Sequence, residues 1–277
     1  MNATSQSERD QAALWNGSGG RGWVEAQEVL DRLLEPFEDM LVESIRSGDQ
    51  VLDVGCGTGA VAVAAARRSA PAACTAIDIS EPMIQAARVR AERDTAAVTL
   101  VCADAQTYGF QPASFDKIVS RFGVMFFRDS VPAFENLRRA SRVGAELRFT
   151  AWRAAEENPI MTAAERAAAP LLPELPSRRN DEPGQFAFAD AQRVRAILER
   201  SGWRSVEIQR LDVTCAFPEA DLVRYLTLVG PLGRHLQKVD EATRAEVLKL
   251  VRPAFDRFVE GKDVRFEAAC WMVTARN

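Results

Sequence analysis

The segment Val51-Leu52-Asp53-Val54-Gly55-Cys56-Gly57-Thr58-Gly59-Ala60 constrains the chain more than any other. Its short apolar run reads as a buried strand over residues 50–54. A turn follows over 55–59 and an alanine-rich helix over 60–68. Glycine lets the backbone turn tightly and lets a ligand lie against main-chain atoms. The same order then repeats along the chain. Strands are expected at 74–78, 98–102, 115–120 and 146–152, with helices at 81–93 and 131–141. Ser80 and Pro82 supply an N-cap and a first-turn signal for the helix at 81–93. Strands and helices alternating at this spacing call for a parallel, doubly wound α/β sheet. Right-handed crossovers then put a ligand at the carboxyl ends of the strands.

Three carboxylates sit at those ends. The glycines alone leave the ligand open, because Gly55, Gly57 and Ala60 also satisfy a dinucleotide fingerprint. Asp53 discriminates. A carboxylate at the mouth of the loop suits a ligand with an ammonium group and a nearby sulfonium, and it opposes a diphosphate on the same helix N-terminus. Asp78 ends the second strand. An acidic side chain there grips the two hydroxyls of an adenosine ribose, or else caps a turn. Asp104 follows the third strand, in Cys102-Ala103-Asp104-Ala105-Gln106. A carboxylate beside a backbone N–H can read the amino group and ring nitrogen of adenine; the alternative is a solvated loop aspartate.

The flanking regions are helical. Residues 9 to 47 read as helix with one break, the glycine-rich turn Asn16–Gly22 between Trp15 and Trp23, and Pro36 marks a kink or restart. The two tryptophans are either a mobile cover over the site or ordinary packing. After Trp152 a helical stretch within 154–185 gives way to turns at Pro170, Pro173, Pro176 and Pro183. A helix at 189–201, a strand at 206–213, helices within 218–260 and a strand at 265–274 follow. The expected division is an N-terminal helical cover over 1–48, a ligand-binding core over 49–153, a lid insertion over 154–188, core again over 189–216, a helical lid insertion over 217–262 and a terminal strand over 263–277. Phe186, Phe188, Tyr225, Leu226 and Leu232 fit an apolar substrate chamber and fit a core equally well.

The formal net charge of −4 gives no electrostatic case for nucleic acid or an anionic membrane as partner. No apolar run reaches the roughly 18 residues that span a bilayer. The polar stretch Met1–Asp10 lacks a signal-peptide core, so a cytoplasmic protein is expected. The five cysteines are scattered and His235 is the only histidine, which argues against a zinc site, any other metal centre or a disulfide framework. The expected partner is a small molecule, and the expected state a monomer or homodimer.

Taken in order, Asp53–Gly59, Ile77-Asp78-Ile79-Ser80 and Cys102–Gln106 resemble the class I S-adenosylmethionine-dependent methyltransferases of the ubiquinone/menaquinone-biosynthesis type, over about residues 12–215. Trp15-Asn16-Gly17, Trp23-Val24, Gln27, Ser120–Phe127, Trp152 and Glu157-Asn158-Pro159 are similar to a bacterial subgroup. The resemblance implies a Rossmann-like, seven-stranded, mostly parallel sheet whose last strand is antiparallel, and S-adenosylmethionine as cofactor. It implies Gly55 and Gly57 along the methionine moiety, Asp78 and Ile79 at the ribose, and Met83 beside the adenosine. Asp104, Ala105 and Gln106 would surround the adenine, with Arg121 and Phe122 near the reactive end and Trp15 and Trp23 folding over the cofactor.

The implied reaction is in-line methyl transfer to an O, N, S or C nucleophile. Alignment and water exclusion can supply about 7–11 kcal/mol of its barrier. No covalent nucleophile is needed, and no Ser-His-Asp or Cys-His arrangement is apparent. His235, in Gly233-Arg234-His235-Leu236-Gln237, is a candidate base if the acceptor needs one, or else an exposed helix residue. Two competing readings are a non-enzymatic cofactor-binding regulatory module and an NAD(P)-dependent oxidoreductase that would tolerate loss of Asp53.

Overall fold

Val51–Val54 is buried along its whole length, as a strand flanked on both sides and covered on both faces must be, and it forms β1. A computed structural model describes residues 11–175 and 182–277. Residues 9 and 10 of the expected first helix, the polar stretch Met1–Asp10 and the turn at Pro176 lie outside the described residues. β2 (Cys74–Asp78) and β3 (Val98–Cys102) continue the sheet on one side of β1, and β4 (Phe115–Arg121) and β5 (Ser141–Trp152) on the other. All five are parallel, with Val51 level with Cys74 on one side and Lys117 on the other. The strand order therefore reverses between β1 and β4, where an open α/β sheet leaves a crevice.

β6 (Arg204–Pro218) and β8 (Asp263–Arg276) complete the sheet, with β8 antiparallel between β5 and β6. Both outrun the expected 206–213 and 265–274. Exposed and buried residues alternate along most of this long ribbon, which blurs its ends in the sequence. A two-residue strand, β7 (Val259–Glu260), pairs with the start of β8 and makes the sheet eight-stranded where seven strands were expected.

Helix α1 (Ser18–Glu25) corrects the glycine-rich turn. Gly19, Gly20 and Gly22 are buried inside it. A Cβ on Gly20 would run into the Trp15 carbonyl and Ser80 Oγ, and one on Gly22 into the Leu228 carbonyl. Each glycine costs about 1 kcal/mol of helix propensity, but each lets another backbone come into contact. Tertiary packing decides the conformation here. α2 (Gln27–Val42) likewise runs on through Pro36 without the expected restart. Proline removes one intrahelical bond, whereas Val29, Leu30, Leu33, Leu34, Phe37 and Leu41 bury a continuous stripe worth about 1.5–3 kcal/mol per large side chain.

α3 (Ala60–Ser69), α4 (Glu81–Arg93), α5 (Ser130–Ala140) and α7 (Ala191–Arg200) flank the sheet. α6 (Pro159–Ala168), α8 (Leu222–Leu228), α9 (Gly230–Leu236) and α10 (Glu241–Val251) gather with α1 beyond the carboxyl ends of the strands. Ser80 caps α4 as expected, accepting the Met83 N–H at 3.4 Å. Among the described residues, no helix is long and apolar enough to cross a membrane.

If the close approach of α1 is what its glycines serve, Gly22→Ala should cost about 1–3 kcal/mol in a urea titration. Gly109→Ala, where an added Cβ meets nothing within 4 Å, should stay within about 0.5 kcal/mol. Equal midpoints for the two variants would refute the packing argument.

Candidate functional site

At the carboxyl edge of the sheet, the turns after β1 and β4 meet backbone to backbone. Gly55 has φ +68°, and a Cβ there would lie 2.8 Å from the Gly123 Cα; a Cβ on Gly123 would lie 2.7 Å from the Val54 carbonyl oxygen. Above this contact opens a cleft of about 800 Å³, measured to its mouth. Trp15, Trp23, Gly55, Gly57, Asp78, Ile79, Met83, Asp104, Ala105, Gln106, Arg121 and Phe122 all line it. Of the residues singled out from sequence as cofactor-binding, only Asp53 lies off this cleft, in a branch described below. Gln11, Gly123, Phe126 and Phe127 also line the cleft without having been assigned there. Phe126 and Phe127 were at least quoted within a family-like string; Gln11 had no local signal.

The cleft wall is built by hydrogen bonding between its own residues. Asp78 accepts the Gly57 N–H at 2.8 Å on Oδ2 and the Ser80 N–H at 2.9 Å on Oδ1. Burial pushes its carboxyl pKa up, and the N–H groups of Ser80, Gly57 and Ile79 pull it back. Each oxygen keeps a second lone pair for a ligand hydroxyl. Asp104 accepts the Gln106 N–H at 2.9 Å and the Gln106 Nε2 at 3.1 Å. Gln106 in turn accepts the Arg128 N–H at 2.8 Å through Oε1, so its carboxamide is fixed in one orientation. Phe122 holds φ +59°, a left-handed conformation unusual for an aromatic residue. Its ring stacks on Trp152 with centroids 4.3 Å apart and meets Phe37 edge-on at 4.9 Å.

A narrow branch runs from the cleft under the glycine loop. Asp31, Asp53, Gly55, Gly57, Thr58, Trp23 and Arg121 are among its walls. Asp53 is 1% exposed, and neither carboxylate oxygen has a hydrogen-bond partner. Burial pushes its pKa up to about 7, Arg121 opposes this, and Asp78 and Glu38 add to it; the Ala62 N–H, the weakest influence, lowers it. Arg121 donates to the Leu34 carbonyl at 3.2 Å. Burial lowers its pKa, while Glu38, Asp53 and Asp31 hold it charged. Asp31 itself pairs with Arg90. A buried carboxylate and a half-buried guanidinium thus share one pocket without bonding each other.

The N-terminal segment is tied across the cleft. Ser80 Oγ donates to the Trp15 carbonyl at 2.6 Å, Asn16 Nδ2 donates to the Ile79 carbonyl at 3.0 Å, and the Glu81 N–H donates to Asn16 Oδ1 at 2.9 Å. Behind it lies a second cavity of about 1500 Å³, measured to its mouth, which shares Gln11, Trp15, Trp23, Phe122 and Phe126 with the cleft. Phe186, Tyr225, Leu226 and Leu232 line this chamber. Phe188 does not; it packs on Phe134 and Phe149 in the core. His235 is outside both cavities, with Nε2 3.5 Å from Glu174 Oε1.

A malonyl-[acyl-carrier protein] O-methyltransferase of Geobacter sulfurreducens is 31% identical over 207 residues, which cover 75% of this chain and 73% of that protein. This chain belongs to the class I S-adenosylmethionine-dependent methyltransferases. The methyltransferase-domain family model matches residues 51–144 of this chain. An aklanonic acid methyltransferase of Streptomyces sp. is 37% identical over 106 residues, 38% of this chain and 48% of that protein. Mycobacterial relatives match over 45% of their length, so the match spans about half of the first curated relatives. Among solved structures, a SAM-dependent methyltransferase from Aquifex aeolicus superposes with a TM-score of 0.51 at 15% identity, covering 88% of this chain and 90% of that one. The [4+2]-cyclase SpnF superposes at 0.57 and 16% identity, covering 93% and 95%. At those identities the likeness is one of fold.

The cavities of this chain carry groups that suit the family's cofactor. Its adenosine calls for hydroxyl acceptors and an apolar slot, and its methionine end for a partner to an ammonium. The orphaned Asp53 carboxylate answers the last need.

Asp53 also makes a prediction about the free protein. Its folded pKa, about 7, lies above the unfolded value near 4, so the folded state holds the proton more tightly. Its contribution to stability is complete below about pH 4 and is lost as pH rises to about 7, by about 4 kcal/mol at most. Urea midpoints across pH 5–8 should fall in the wild type and flatten in Asp53→Asn. Parallel profiles would show that Asp53 is ionised throughout.

Proposed function

We propose that this chain transfers the methyl group of S-adenosylmethionine to a small organic acceptor held in the chamber behind Trp15 and Trp23. One observation carries the reading: a buried carboxylate, Asp53, with no hydrogen-bond partner on either oxygen, in a branch off the cleft that Asp78 and Asp104 line. A lone buried charge is expensive unless a ligand completes it.

In this reading Asp53 takes the ammonium of the methionine end, and Arg121, on the wall shared by branch and cleft, takes its carboxylate. Gly57 leaves the backbone open to the ligand. Asp78 holds the ribose hydroxyls with the oxygen lone pairs its two backbone bonds leave free, and Ile79 and Met83 pack the sugar and base. Asp104 accepts from the adenine amino group, with Gln106 keeping its carboxylate in place. When bound, the cofactor supplies an electrophilic methyl on a leaving group already activated by positive charge. The protein's part is to align, desolvate and hold. Trp15, Trp23, Phe122 and Phe126 exclude water where the two cavities join, and His235 takes no part. Relatives named for aklanonic acid and for the malonyl group of an acyl-carrier protein support an organic acceptor.

Calorimetry with S-adenosylhomocysteine tests the reading. Binding needs Asp53 ionised, so affinity should rise roughly tenfold from pH 6 to pH 8, with proton release at pH 6. Asp53→Asn should remove the pH dependence, and Asp78→Ala should weaken binding by about a hundredfold, the loss of two charge-assisted hydrogen bonds. A protein that binds neither S-adenosylmethionine nor S-adenosylhomocysteine rejects the proposal. One that binds both but yields no methylated product from any cell extract supports a regulatory module instead.

A further inference from the structure

Three spaces meet beneath the N-terminal segment: the cleft, its branch under the glycine loop and the chamber. Among the described residues, Trp23 alone lines all three. A sulfonium has the same connectivity. Its substituents in the proposed cofactor are the adenosyl carbon, the methionine chain and the methyl group, which belong in the cleft, the branch and the chamber mouth in turn. Under the methyl-transfer reading, the sulfur falls beside Trp23.

The surroundings of that point suit a positive charge. Trp15 meets Trp23 edge-on, with ring centroids 6.1 Å apart and planes at 79°. It meets Phe126 at 5.2 Å and 90°. Three rings thus form a corner, and Phe122 is the other aromatic wall common to cleft and chamber. The face of an aromatic ring attracts a cation, tryptophan most strongly, and the attraction grows where water is excluded. Gln11 lines cleft and chamber as well. Its Oε1 is buried without a hydrogen-bond partner, an acceptor with both lone pairs idle. Among the described residues, no lysine or arginine lines both cavities; Arg121 belongs to the cleft and branch, and Arg234 to the chamber.

We infer that this corner, built on Trp23 and closed by the Gln11 carbonyl, reads the charge on sulfur and makes the protein selective for loaded over spent cofactor. The inference rests on the methyl-transfer reading above. Loss of the methyl leaves sulfur as a neutral thioether. The rings and the carbonyl oxygen then lose the charge they attract, while the contacts to base, ribose and amino-acid end are unchanged. Spent cofactor is therefore held less tightly than the molecule that replaces it. Charge leaves the sulfur as its bond to the methyl breaks, so the corner favours loading and exchange, not the chemical step.

Calorimetry at pH 7 with three ligands tests this without an acceptor. S-adenosylmethionine carries a sulfonium, sinefungin an ammonium in its place, and S-adenosylhomocysteine a neutral thioether. The wild type should bind both cations about tenfold more tightly than the thioether. Trp23→Leu should bring all three within about twofold by weakening the cations alone, and Trp23→Phe, which keeps a ring, should retain part of the preference. Should Trp23→Leu fail to bind even the thioether, Gln11→Leu decides, with the preference falling at least about threefold and the thioether affinity unchanged. A wild type that binds the thioether as tightly as the cations overturns the inference. So does a preference that survives in the deciding variant, or one in which all three ligands weaken alike, the mark of a packing role. Each of these outcomes leaves methyl transfer standing. If the wild type binds none of the three, both readings fall together.

Discussion

Everything at this site depends on the contact between Gly55 and Gly123. The turns leaving β1 and β4 touch through main-chain atoms, and a side chain at either position would overlap the opposing backbone. That contact brings the ends of the two strands together at the point where strand order reverses. It sets Asp53 and Arg121, on neighbouring strands, under the same loop. It also leaves Phe122, next to Gly123, in the left-handed conformation that carries its ring onto Trp152. The cleft and its charged branch both open beside this single backbone approach.

The charges are sorted by compartment. Asp53, Asp78 and Asp104 belong to the cleft and its branch, where a cationic, hydroxyl-rich ligand needs acceptors. Arg121 is the only charged side chain among the described residues common to both. Carboxyl groups on α2, Asp31 and Glu38, offset the cost of burying it, and Arg90 balances Asp31 in turn. Such a chain of partly paired charges is stable only while each member keeps its neighbour, which makes the branch sensitive to protonation at Asp53.

What was legible in the sequence was local. An apolar run, glycines at a strand end and a serine cap each declare themselves within a few residues, and they pointed to Gly55, Gly57, Asp78 and Asp104, whereas Ile79, Met83, Ala105 and Gln106 came from the family resemblance; all of these line one cleft. For Asp78 the two sequence readings, turn cap and ligand grip, are compatible, because its two backbone bonds leave lone pairs free. What was not legible depended on distant neighbours. Gly20 and Gly22 read as a turn because glycine weakens helices, but the Ser80 hydroxyl and the Leu228 carbonyl that they accommodate are far along the chain. Phe186 and Phe188 are alike in sequence and two residues apart, yet one lines the chamber and the other packs in the core. Gln11 sits in an ordinary helical stretch and gains its place only when the N-terminal segment crosses the cleft.

That crossing segment has a further consequence. Trp15 and Trp23 belong to one short stretch, and each walls both cavities. The stretch is fastened to the β2–α4 turn through Ser80 and Asn16. Parting those few bonds would uncover both compartments together. Under the proposed methyl transfer, spent cofactor and product would share one exit, and their departures would be kinetically bound to each other.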